Sequence, residues 1–165
     1  MGPRPALEQL SEVLWRERHL LELLLFKLET EQLVLSSGRT RWLGHATREV
    51  ETVLDEIRTA ELGRALEADQ AARDVGVQPG AGLAEIAAHA PAPWDELLRA
   101  HRDAFASLTA EIAALADGNR ELLAVSHRAA QETLASLQDT VRTYDGQGRH
   151  TGAAGSPARL VDQSI

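Results

Sequence analysis

Leucine recurs every seven residues near the start of the chain, at Leu7, Leu14, Leu21, Leu28 and Leu35, with Leu10 and Leu24 on the adjoining heptad position. Seven residues make close to two helical turns, so the beat predicts one long amphipathic helix over about 6–36. Around its middle, Leu20, Leu23, Leu25 and Phe26 widen the apolar stripe to most of the circumference. A two-stranded coil does not need that width, so this helix is expected to touch more than one neighbour. The same stretch does not read as a membrane span: it holds Glu22 and Lys27 and falls well short of the roughly 20 apolar residues required.

Ser36, Ser37 and Gly38 end the pattern, Gly supplying the left-handed residue that a helix C-terminus favours. The short connection predicts an antiparallel second helix over 40–73, where Leu43, Ala46, Val50, Val53, Ile57 and Ala60 alternate at spacings of three and four. Gly76, Pro79, Gly80, Gly82, Pro91 and Pro93 then interrupt helical structure between 74 and 93. Leu83, Ile86 and Ala87 keep helical spacing inside that stretch, which predicts a short helix over 83–89 closing the end of the hairpin. A third helix is expected over 93–144, with Pro93 at its first position and Asp95 and Glu96 against its positive end. The expected fold is therefore all-α: an antiparallel helical hairpin plus a third long helix, a three-helix coiled-coil-like bundle within a domain of 1–149. Residues 150–165 mix Gly, Ala, Ser and Pro without periodicity and read as a flexible tail.

The third helix carries the most informative pattern. Trp94, Leu98, His101, Phe105, Leu108, Ile112, Leu115, Asn119 and Leu122 follow a four-three alternation, the spacing of a coiled-coil seam. Beyond Leu122 the beat slips through Ser126, Ala130 and Leu134 in successive fours before Leu137, Val141 and Tyr144 restore it, which rotates the apolar face. At about 1.5 Å per residue the hairpin helices span roughly 45–50 Å and the third roughly 75–80 Å. The last part of the third helix, from about Ser126, is thus expected to project past the turn at Gly38. Ala130, Leu134, Leu137, Val141 and Tyr144 would then form a strip available to a partner. The alternative is a bend at Gly118 that folds the helix back.

Chemistry is scarce. Seventeen basic residues against 25 acidic ones give a formal charge of −8, which disfavours nucleic acid and anionic membrane as partners. The absence of cysteine excludes disulfides and thiolate chemistry and fits the cytoplasm. The six histidines stand at 19, 45, 89, 101, 127 and 150, and no two are three or four residues apart, so neither metal nor other cofactor is expected. No phosphate loop, nucleophile elbow or Glu-x-x-His pattern is present, and no catalytic residue is nominated. Arg39, Arg41 and Arg48 form a basic cluster near the turn that reads either as a solvated face or as a holder for an acidic partner segment. Trp15 and Trp42 lie off the seams, as interface anchors or as caps on the hairpin. His101 falls on the seam as a core or partly exposed histidine, and Asn119 reads as a register-fixing polar residue or as part of an exposed Asp117-Gly118-Asn119 turn.

The block LWRERHLLELLLFKLETEQLVLSSGRTRWLGHATREVETVLDEIRTAEL, followed in order by PWDELLRAHRDAF, NRELL and TYDGQGR, resembles the FlgN family of flagellar export chaperones, particularly its actinobacterial form. The resemblance runs from about Glu8 to Arg149. It implies a cytoplasmic, non-enzymatic chaperone for flagellar type III secretion that needs no cofactor and binds the hook-filament junction proteins FlgK and FlgL. It also implies that the C-terminal helical region holds a C-terminal cargo segment, through Leu134, Leu137, Val141 and Tyr144, and that Tyr144 touches the export gate. A self-associating structural coiled coil using the same face is the alternative.

Overall fold

A computed structural model describes residues 4–146, with side chains up to Arg142. It contains four α-helices and no strand among the described residues: α1 (Pro5–Ser36), α2 (Leu43–Asp74), α3 (Leu83–His89) and α4 (Trp94–Gly146). A 3-10 turn, Thr40–Trp42, precedes α2, so the α-helical part of the second element starts at Leu43 rather than at Thr40. Pro93 stands one residue ahead of α4 rather than at its first position. The expected tail, 150–165, lies outside the described residues. The chain divides into two units, one ending at Leu122 and one beginning at Leu123.

Backbone chemistry explains where the hairpin turns. The Ser37 N–H donates to Leu33 O at 3.0 Å and the Gly38 N–H to Leu35 O at 3.3 Å, after which Gly38 takes φ 69°. A side chain is strained there, so the glycine ends α1 and frees the chain to reverse. At the far end of α2, Val77 N–H reaches back to Ala72 O at 2.8 Å and Gly76 N–H to Arg73 O at 3.2 Å. This paired cap needs the positive φ of Gly76, 79°, and it delivers Val77 into the core.

Two apolar clusters hold the first unit. One joins Leu7, Leu10 and Leu14 of α1 to Ala71 and Ala72 of α2, Ile86 and Ala87 of α3, and Leu98 of α4, all fully buried. The short α3 packs Ile86 and Ala87 into this cluster at the open end of the hairpin. The other packs Leu21, Leu24 and Leu28 against Val50, Val53 and Ile57, with Phe105, Leu108, Ile112 and Leu115 of α4 laid over them. Helix α1 therefore meets both α2 and α4, which accounts for part of its wide stripe. Leu23 and Phe26 belong to neither contact and stay exposed.

Polar layers interrupt this seam, and two of them come from positions that the apolar count passes over. The three-four beat of α1 runs without a break through Leu14, Glu17, Leu21 and through Leu28, Glu31, Leu35, so Glu17 and Glu31 are delivered to the core, 3% and 6% exposed. Glu17 is met by Arg64 of α2, Nε to Oε2 at 3.2 Å. Burial pushes its carboxyl above the ordinary value, Arg64 pulls it back, and Glu61 adds to the rise. Glu31 accepts from Thr47 Oγ1 at 3.1 Å and from Asn119 Nδ2 at 3.0 Å, while the same Asn119 amide donates to Leu28 O at 3.0 Å. Asn119 is 2% exposed and lies in the uninterrupted helix α4, which also runs through Gly118. The exposed turn at 117–119 is therefore excluded, and the helix does not break at Gly118. The Asn119 NH2 group spends its two donors on Leu28 O and Glu31, while its Oδ1 is buried without a partner among the described residues, and this pairing fixes the register of α4 on α1.

His101 is likewise core, 1% exposed. Its Nδ1 lies 3.4 Å from Arg18 Nη1, and a guanidinium can only donate, so this contact uses the tautomer protonated on Nε2, a nitrogen buried without a partner among the described residues. Burial and the Arg18 charge both hold its pKa below the ordinary value, keeping it neutral at physiological pH. Trp15 packs edge-on to the same ring, centroids 4.8 Å apart, with Arg18 4.4 Å over the indole. Trp15 therefore covers a buried histidine while half of its own surface stays in water.

Candidate functional site

Between Ala124 and Arg142 every side chain of α4 is exposed. The periodicity of this stretch is nevertheless apolar on one side. At 100° per residue, Ala130, Leu134, Leu137 and Val141 fall within an arc of about 60°. Leu134, Leu137 and Val141 are 59%, 58% and 51% exposed, and their spacing sets them on one side of the helix. Leu134, Leu137 and Val141 line a shallow open depression together with Gln138 and Arg142. Tyr144 continues the arc in the helical backbone of α4, and its side chain lies outside the described residues.

The strip is flanked by polar groups that stay on their own helix. Thr133 and Thr140 turn their hydroxyls back to the carbonyls of Ala129 and Ser136, both at 2.9 Å, and Arg142 stands 3.9 Å from Asp139. A surface with an apolar centre and a self-satisfied polar edge presents helix-spaced knobs without demanding hydrogen bonds from its partner. From Ala130 to Tyr144 it runs about 21 Å along the helix, three to four anchors of an opposing amphipathic helix.

Nothing in the described residues suggests a reaction centre. No group of three or more His, Asp or Glu side chains among them is arranged to hold a metal ion. The buried titratable groups among them, Glu17, Glu31 and His101, are engaged in helix packing. No helix among the described residues is long and apolar enough to cross a membrane.

The residues overlooked by an apolar count, Glu17, Glu31 and Arg64, are structural, and their signal was available as charged residues standing on a heptad beat. The cluster of Arg39, Arg41 and Arg48 is exposed and adjoins Trp42, whose ring is 47% exposed. Comparison with known proteins places one family model on the chain, described as FlgN protein, over residues 1–152. No curated protein and no solved structure gives a significant match.

Proposed function

The chain belongs to the FlgN family, a family of flagellar export chaperones rather than enzymes, and on that premise we propose that it shields and escorts the hook-filament junction proteins FlgK and FlgL in the cytoplasm before their secretion. The observation that carries this reading is the exposed strip of Leu134, Leu137 and Val141 on α4. We assign cargo docking to Ala130, Leu134, Leu137, Val141 and Tyr144, with an amphipathic C-terminal helix of the cargo as the occupant and with Tyr144 as a contact to the export gate.

The energetics suit an escort. Covering three half-exposed aliphatic side chains gains about 2–4 kcal/mol, and the cargo's matching side chains gain a similar amount. Association itself costs at least about 4 kcal/mol. The strip by itself therefore supports a reversible complex, one that an export apparatus can take apart without unfolding the chaperone.

The test is capture from cytoplasm of cells that make both cargoes, using the full chain as bait. Specific recovery of FlgK and FlgL, lost with Leu137→Asp, supports the reading. A tight self-associated species in sedimentation that no cargo segment disturbs would instead favour a structural coiled coil.

A further inference from the structure

The hairpin turn carries a second surface that the cargo reading does not use. From Gln32 to Arg48 the sequence contains no Asp or Glu, although the chain as a whole has a formal charge of −8, and the segment holds Arg39, Arg41 and Arg48. All three arginines are exposed, and none takes part in an ion pair of the first unit or of the described part of α4. Contacts join two of them into one patch: the Arg41 guanidinium lies 4.7 Å over the Trp42 ring, that ring stands 5.7 Å from His45, and Arg48 Nη2 is 3.2 Å from His45 Nδ1, while Arg39 stands two residues before Arg41 in the chain. Leu33, 71% exposed, lies in the last turn of α1, before the connection.

The fold contains a second tryptophan, arginine and histidine set for comparison. Trp15, Arg18 and His101 bring together helices 83 residues apart in sequence, and the histidine is buried. The set at the turn lies within eight consecutive residues and ties no distant elements together. Helix packing thus explains the first set and leaves the second unexplained, in a protein where aromatic residues make up only 4% of the sequence.

We propose that Arg39, Arg41, Trp42 and Arg48, with Leu33, form a second docking surface whose occupant is an acidic segment of a partner protein bearing at least one apolar side chain. Guanidinium groups grip carboxylates through paired hydrogen bonds, and Trp42 and Leu33 offer the apolar footing beside them. Charge complementarity selects the occupant. A bilayer spreads its negative charge over an area much larger than this patch and so also meets the acidic remainder of the chain, whereas a peptide segment engages the patch alone.

The experiment uses the full chain and a fluorescein-labelled synthetic amphipathic peptide with Leu and Phe at helical spacing and Glu between them, at about 0.15 M salt. A matched peptide with Gln for every Glu is the control, and vesicles of phosphatidylcholine with and without phosphatidylserine form a separate arm. In the Leu137→Asp background, which takes the cargo strip out of play, the Glu peptide is expected to bind and the Gln peptide to fail. The triple change Arg39→Gln, Arg41→Gln, Arg48→Gln should weaken binding about 10-fold or more, and Trp42→Ala should also weaken it, with unchanged melting curves. Arginine-to-lysine changes at the three positions should restore part of the affinity. Leu137→Asp should leave this binding intact, which separates the turn surface from the cargo strip. Equal binding of both peptides, indifference to the triple change, or attachment only to phosphatidylserine vesicles would overturn the proposal.

Discussion

Arg64→Ala removes the cation paired with Glu17 in the seam. The Glu17 side chain is 4% exposed and its Oε2 receives no well-aligned hydrogen bond, so Arg64 stabilises its charge mainly by proximity. Stranding a buried carboxylate costs about 3–5 kcal/mol. The Arg64 side chain is 34% exposed, however, so water already reaches the pair and the lower end applies, about 2–3 kcal/mol. For a unit of this size that lowers the melting temperature by about 8–12 °C.

The pH dependence fixes the mechanism. The folded pKa of Glu17 lies above its ordinary value of 4.5, so the ionised form destabilises the fold. That penalty is absent below 4.5, grows as pH rises toward the folded value and is complete above it. Removing Arg64 raises the folded pKa further and widens the window, so the loss in Arg64→Ala should be larger at pH 8 than at pH 5. Circular dichroism melts and urea titrations of the wild type, Arg64→Ala, Glu17→Leu and the double change Glu17→Leu/Arg64→Met measure the cycle. Leu at 17 continues the stripe between Leu14 and Leu21, so the double variant should equal or exceed the wild type. A change under about 0.5 kcal/mol for Arg64→Ala at pH 8, within the range of an ordinary surface substitution, or a double variant no better than that single one, would refute the description of this layer.

Other perturbations test the remaining layers. Asn119→Ala leaves Glu31 Oε1 without its donor and removes the second hydrogen bond to Leu28 O, which keeps its helical one, and should cost about 1–3 kcal/mol in urea unfolding. His101 has a folded pKa below its ordinary 6.5, so its contribution to stability is complete above 6.5 and is lost as pH falls from there toward the folded value. His101→Leu should remove that slope, and the difference in urea midpoint between wild type and variant, followed from pH 7.5 downward, reads it. Gly118→Ala should stabilise by about 0.4–1 kcal/mol, because α4 is helical there and an added Cβ meets nothing within 4 Å. Destabilisation at that position would argue for a bend.

Much of this fold is legible in the sequence because its elements are long and strongly periodic. The Leu heptads deliver α1, the three-four alternation of Val50, Val53 and Ile57 delivers α2, and Leu83, Ile86 and Ala87 mark α3 inside a Gly and Pro stretch. Glu17 and Glu31 escape a reading that counts only apolar side chains, although they keep the same beat. Their partners escape for a deeper reason: Asn119 meets Leu28 and Glu31 across about 90 residues of sequence, and only the packing register of two helices decides that. The partial exposure of Trp15 and its cover over His101 are likewise tertiary facts. The candidate strip is different, because its spacing, its stutter and its composition are all local, and the structure adds the exposure of Leu134, Leu137 and Val141.

The most direct measurement is calorimetric titration of FlgK and FlgL C-terminal segments into the wild type and into Leu137→Asp and Val141→Asp, paired with thermal melts of the same samples. Both side chains are more than half exposed, so a carboxylate there should change melting by no more than a surface substitution does. The account predicts binding to the wild type, its loss in both variants, and superimposable melts. Undiminished binding in the two variants, or loss of binding only together with loss of fold, would contradict it.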